Sequence, residues 1–132
     1  MEEGIVMEMF YEPVNLRQWN MFDKVKCIGH IEPFLATKAM SLGDIVFLHV
    51  GQQDKNFESG IYAYGVIVKE PYILEDSPQD YCNNKNTVDV KIEKINYSNP
   101  YMPHDECKKY IHQFRTVHKI EKEFYEKFEE IM

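Results

Sequence analysis

Two short stretches of the sequence set an imidazole beside a glycine, Cys27-Ile28-Gly29-His30 and His49-Val50-Gly51. An imidazole can donate or accept at its ring nitrogens, and a glycine, lacking Cβ, lets a ligand come close to a backbone amide. Cys27, Gly29, His30, His49, Val50 and Gly51 are therefore candidate ligand contacts. A plainer reading stands beside each histidine: His30 as a turn residue, His49 as a hydrogen-bonded histidine on a buried strand. Trp19, Tyr62 and Tyr64 offer flat surfaces for a planar ligand. Trp19 serves a core equally well, and Tyr62 and Tyr64, expected on one face of their strand, serve sheet packing equally well.

Reactive chemistry is less well provided. A Cys27 thiolate needs a nearby imidazole to form near neutral pH, and no nucleophile signature flanks it. His104-x-x-Cys107, with His112 nearby and Cys82 upstream, has the ligand types for zinc. Structural zinc sites pair ligands at both ends, however, and here only one end does, so no metal or other cofactor is expected. The stretch from Lys108 to Lys119 carries Lys108, Lys109, Arg115 and Lys119 with His112 and His118 and no acid. Tyr110 and Phe114 interleave with these cations, a composition that can neutralise phosphates and stack bases. The alternative is a solvated helix face whose Tyr110, Ile111 and Phe114 pack inward.

The elements that must hold these residues can be read from the periodicity. Ile5 to Tyr11 has strand composition, and Asn15 is placed to cap a short helix holding Leu16, Trp19, Met21 and Phe22. Val25 to Ile28 reads as a short strand, and Phe34 to Met40 as a second short helix ending at Gly43. Asp44 to Val50 is apolar on both alternating sets, the pattern of a strand buried on both faces. Ile61 to Val68 repeats it and should pair antiparallel across the loop GQQDKNFESG. Thr87 to Ile92 alternates, which predicts a third strand with one face to water. Pro71 to Asn86 has loop composition and is expected to be exposed and mobile. A helix should start near Asp105, and Ile120, Phe124, Phe128 and Ile131 form one stripe of a final amphipathic helix whose other face is acidic.

The 132 residues suit one domain spanning 1–132, and 44% apolar with 28% charged residues excludes a disordered or fibrous chain. The run Ile61 to Val68, 8 residues, is too short to cross a bilayer. The acidic opening MEEGIVMEMF is unlike a secretory leader, and three cysteines without a CxxC pair fit reduced thiols, so a cytoplasmic location is expected. A net charge of -7 excludes a general basic coat for duplex nucleic acid. Anion binding must rest on local patches.

The run Met40-Ser41-Leu42-Gly43-Asp44-Ile45-Val46-Phe47-Leu48 turns at a glycine straight into a buried strand, and the strand Gly60 to Val68 ends in Lys69-Glu70-Pro71-Tyr72. These two blocks resemble the EVE domain, a member of the PUA-like superfamily. Trp19 after the first strand, Cys27-Ile28-Gly29-His30 in place of a Trp-Gly-Val type pocket motif, and Phe114-Arg115 before the last helix extend the resemblance over the whole chain. It implies an α+β fold, a small, bent, mostly antiparallel β-barrel with short peripheral helices. It also implies a non-catalytic nucleic-acid-binding module, whose cleft admits a flipped, often chemically modified, nucleobase, with DNA and RNA both open. The resemblance puts the pocket at Cys27, Gly29 and His30 and at His49, Val50 and Gly51, with Cys27-Ile28 a smaller wall than tryptophan. Arg115 and Lys108 would hold the backbone. Two other classes stay open. One is a small hydrolase of acylated nucleosides like the ASCH branch, using Lys24 or Lys26 with Glu32. The other is an interaction module docking a partner on the acidic helix Glu121 to Glu130.

Overall fold

Alternation of buried and open positions along the chain builds a single sheet. The computed structural model describes residues 7–75, 85–121 and 123–131. Its strands are β1 (Met9–Val14), β2 (Ile31–Leu35), β3 (Ile45–Val50), β4 (Gly60–Ile67), β5 (Tyr72–Leu74), β6 (Lys85–Ile95), β7 (Met102–Pro103) and β8 (His118–Lys119). Three short helices accompany them, α1 (Met21–Lys24), α2 (His104–Cys107) and α3 (Phe124–Ile131). The strand order is β2-β6-β4-β3-β1-β8, with β5 on β6 and β7 on β4. All pairings are antiparallel except β1 with β3. The sheet curls into a half-barrel, as the α+β, PUA-like expectation requires.

Two apolar clusters occupy the two faces. Phe10, Val14, Val46, Leu48, Val50, Val88, Val90 and Ile92 fill the concave side with Trp19, Met21 and Phe34. Met9, Tyr11, Ile45, Phe47 and Ile61 form the other side, covered by Met102, Cys107, Ile111, Ile120 and Phe124. β1 and β3 therefore meet a core on both faces, and every residue of β3 is buried. That is the physical reason its sequence is a continuous apolar run. In β6, Val88, Val90 and Ile92 are buried while Lys91 is exposed, the half-wet alternation expected.

Short polar connections set the register. The buried Asp44 carboxylate accepts the Ser41 and Glu8 backbone N–H groups at 2.9 and 3.1 Å, which ties the turn before β3 to the start of β1. The Glu12 carboxyl of β1 is buried, and its Oε1 has no hydrogen-bond partner among the described residues. Burial holds the Glu12 carboxyl well above the usual carboxylate range.

Several expected elements differ. Phe34 to Met40 forms no helix: Glu32 and Phe34 turn inward at period two along β2, in register with β6, and tertiary pairing overrides local propensity. No strand forms over Val25 to Ile28: Val25 caps the end of α1, and a turn from Cys27 to His30 follows, closed by the His30 N–H on the Cys27 carbonyl at 3.3 Å. Asn15 caps a turn, accepting the Arg17 N–H at 3.0 Å, whereas the cap of α1 is Asn20, which accepts the Phe22 N–H at 3.1 Å. The basic stretch is not helical either: α2 stops at Cys107, and the chain crosses by turns to β8. Ile120 and Phe124 of the last stripe are buried. The side chains of Phe128 and Ile131, the opening 1–6 and most of the expected loop, 76–84 with Cys82, lie outside the described residues.

Candidate functional site

β1 and β3 run parallel and end side by side at Val14 and Val50, and a hollow of about 700 Å³ opens beyond them. It is walled by Tyr11, His49, His104 and Phe114, with Arg115, Gly51 and the Gln52-Gln53 amides also lining it. That size suits a small organic ligand. The Tyr11 hydroxyl donates to the Phe114 carbonyl at 2.9 Å and also meets His49 Nδ1 at 3.3 Å. His49 Nε2 lies 3.2 Å from His104 Nδ1. The rings pack as well, with centroids 5.6 Å apart for Tyr11 and Phe114 and 4.5 Å for His104 and Phe114. Burial, and then His104 beside it, lower the His49 pKa from 6.5 to about 4, so at neutral pH it is an uncharged hydrogen-bonding group.

Of the expected contacts, His49, Gly51 and Arg115 come together in this hollow. Arg115 is exposed and has no ion pair among the described residues, so its guanidinium is open to an anion. The other cations of the stretch are engaged. Lys108 pairs with Asp105 and Lys109 with Glu106 at 3.5 Å each, and Lys119 with Glu8 at 3.3 Å. Acids distant from the stretch, or one helical turn before it, thus dilute the patch the sequence suggests.

The Gly29 bend is elsewhere. Cys27, Gly29 and His30 do not line the hollow. Gly29 has φ of +96°, and its amide is spent on the Ile92 carbonyl at 2.7 Å, which fixes the turn to β6. His30 Nε2 meets the Glu32 carboxylate at 2.7 Å. Lys24 and Lys26 are exposed and do not line the hollow, and with Glu32 engaged by His30 the Lys-Glu arrangement of the hydrolase reading has no support from this geometry. The Gly51 amide, too, is donated within the fold, to the Val14 carbonyl at 3.1 Å, so neither glycine offers a free N–H. Val50 is a core residue of the concave side.

The aromatics divide. An irregularity opposite Leu48 and His49 makes Tyr62 the extra residue of β4, which reverses the alternation after it. Tyr62 therefore points into the concave core, with its hydroxyl on the Glu58 carbonyl at 2.6 Å, while Tyr64 packs on the opposite cluster near Phe47. The two tyrosines do not share a face, and neither lines the hollow. Trp19 is buried edge-on against Phe34 and lines a side recess of about 40 Å³ that shares Pro13, Val14, Asn15 and Gln18 with the hollow. Its Nε1 has no hydrogen-bond partner among the described residues.

Tyr11 and His104 are the wall residues sequence reasoning misses. Tyr11 reads as part of an apolar strand, and His104 as half of a metal-ligand pair. Phe114 reads either as an aromatic interleaved with the cations or as helix packing, and the structure puts it in the wall. Cys107, the other half of that pair, is buried with its thiol on the Met102 carbonyl, and burial pushes its pKa up to about 12.

The half-barrel has the PUA-like fold that the sequence resemblance implies. No protein-family model and no curated protein matches the sequence. Solved structures do match in fold. A hypothetical protein from Leishmania major is similar with a TM-score of 0.66 at 15% identity, over 96% of this chain and 94% of that one. A protein from Pseudomonas syringae gives 0.64 at 14%, over 93% and 98%. Human THYN1, an EVE domain protein in complex with 5-methylcytosine containing DNA, gives 0.60 at 14%, over 92% and 95%.

Proposed function

We propose that this chain is a non-catalytic nucleic-acid-binding module that takes a single base or nucleotide, of a chemically modified kind, into the hollow beyond β1 and β3. The observation that carries it is the hollow of about 700 Å³, faced by the half-buried His104 and Phe114 rings, backed by the buried Tyr11 and His49, and edged by Arg115, which has no ion pair among the described residues. An extruded base recovers its lost stacking on such rings, worth about 1–3 kcal/mol per base, and Arg115 meets the adjacent phosphate. The fold shared with THYN1, whose complex contains 5-methylcytosine DNA, supports the same reading. With a net charge of -7, binding rests on this site and not on a long-range field. Titrating the protein with plain and 5-methylcytosine oligonucleotides, single-stranded and duplex, at low salt tests it. Saturable binding that prefers the modified strand is expected, and no binding to either overturns the proposal.

A further inference from the structure

The order of hydrogen bonds behind the hollow has only one consistent direction. Tyr11 Oη owns one proton and lies 2.9 Å from the Phe114 carbonyl, which can only accept. Toward His49 Nδ1, at 3.3 Å, the same oxygen is then an acceptor, so Nδ1 carries the His49 proton. The uncharged His49 ring is left with a lone pair on Nε2, and His104 Nδ1, 3.2 Å away, must be the donor to it. The opposite direction would take the tyrosine proton through the longer contact and strand the Phe114 carbonyl without it. His104 is half-buried and lines the hollow, and its Nε2 meets no partner among the described residues.

We propose that the Tyr11–His49–His104 chain fixes His104 as the Nδ1–H tautomer, so that its Nε2 serves as a bare acceptor selecting a ligand with an N–H donor, the exocyclic amino group of a nucleobase. This deepens the base-binding reading and rests on it: Phe114 stacks the ring, Arg115 takes the phosphate, and His104 reads the base edge. His49 is a positioning residue, held uncharged by its burial, and Tyr11 sets the direction of the whole chain.

Two measurements test the assignment separately from the binding reading. Long-range proton–nitrogen NMR of the histidine rings at pH 8, above the ordinary histidine range, should show Nδ1–H on both His49 and His104 in the free protein. A His104 found as the Nε2–H tautomer overturns the inference whatever the protein binds. In the second, oligonucleotides carrying cytosine or adenine are compared with their N4,N4-dimethyl and N6,N6-dimethyl forms, which lack the amino N–H. The preferred base should lose about 10-fold or more on dimethylation, the scale of one good hydrogen bond. In His104→Phe, which keeps a ring at a half-buried position, and in Tyr11→Phe, that ratio should fall toward one; a ratio unchanged in both variants overturns the role of the chain. Equal affinity for both forms in the unaltered protein overturns the amino-selective role and leaves the base pocket standing. Absence of binding to every oligonucleotide overturns both.

Discussion

His49 illustrates how much a single neighbour can decide. It sits in the strand core, shielded from water and next to a second imidazole, and its pKa falls to about 4 from 6.5. A folded-state pKa below the unfolded one means that the unfolded chain takes up the proton first. The stabilisation is therefore complete above about pH 6.5 and is lost as the pH falls toward 4, by up to about 3 kcal/mol for a shift of this size. Urea unfolding at pH 7 and at pH 4.5 should show this fall, and His49→Gln should flatten it; an unchanged slope in the variant contradicts the assignment. Arg115 makes the contrasting case. Its guanidinium lines the hollow with no ion pair among the described residues, whereas Lys108, Lys109 and Lys119 sit on acids. Arg115→Ala should weaken single-strand binding and shallow its salt dependence by about 0.7 in the log–log slope, the share of one phosphate contact. Lys108→Ala should leave that slope nearly unchanged in the same titrations.

At the scale of elements, the turn before β3 shows a carboxylate organising two segments at once. Asp44 accepts the N–H groups of Ser41 and Glu8, and is itself buried. Asp44→Ala leaves both donors without that acceptor and should cost about 2–4 kcal/mol in denaturant unfolding, with Asp44→Asn retaining part of it. This turn was legible in the sequence, as was the pairing of β3, β4 and β6, because two-sided or alternating burial leaves a direct imprint on residue type. Phe34 to Met40 was not legible, since a strand of five residues on a sheet edge carries too few positions to separate period two from a helical period. The site was legible by halves. His49 and Gly51 stood out as polar or flexible residues at a strand end and Arg115 as a cation of the basic stretch, but Tyr11 looked apolar and His104 lies 55 positions from its partner His49, a meeting that only the closed fold creates. The one extra residue at Tyr62 shows why a face assignment fails: alternation read along a strand assumes no bulge, and a bulge leaves no reliable mark on composition.

For the whole molecule, stability carries the imprint of a second buried group that titrates. Glu12 of β1 is a buried carboxyl whose pKa burial raises above the ordinary value of 4.5. An acid raised on folding contributes stability that is present at low pH and is lost as the pH rises through its folded value, opposite in sign to His49. Glu12→Gln keeps an accepting oxygen and cannot ionise. Compared by thermal melts, it should lie within about 1 kcal/mol of the unaltered protein near pH 5 and gain on it as the pH increases. A difference that stays constant from pH 5 to pH 9 would show that the carboxyl does not titrate in the fold.

β2 ends the strand order on one side, and its middle residue is Pro33. A proline has no N–H to offer a neighbouring chain, so this margin lacks the regular ladder on which a second molecule could add its own strand. Concentrated solutions should therefore resist edge-to-edge fibril growth from this side, and a Pro33→Val substitution, which restores a donor, is the change that would invite it.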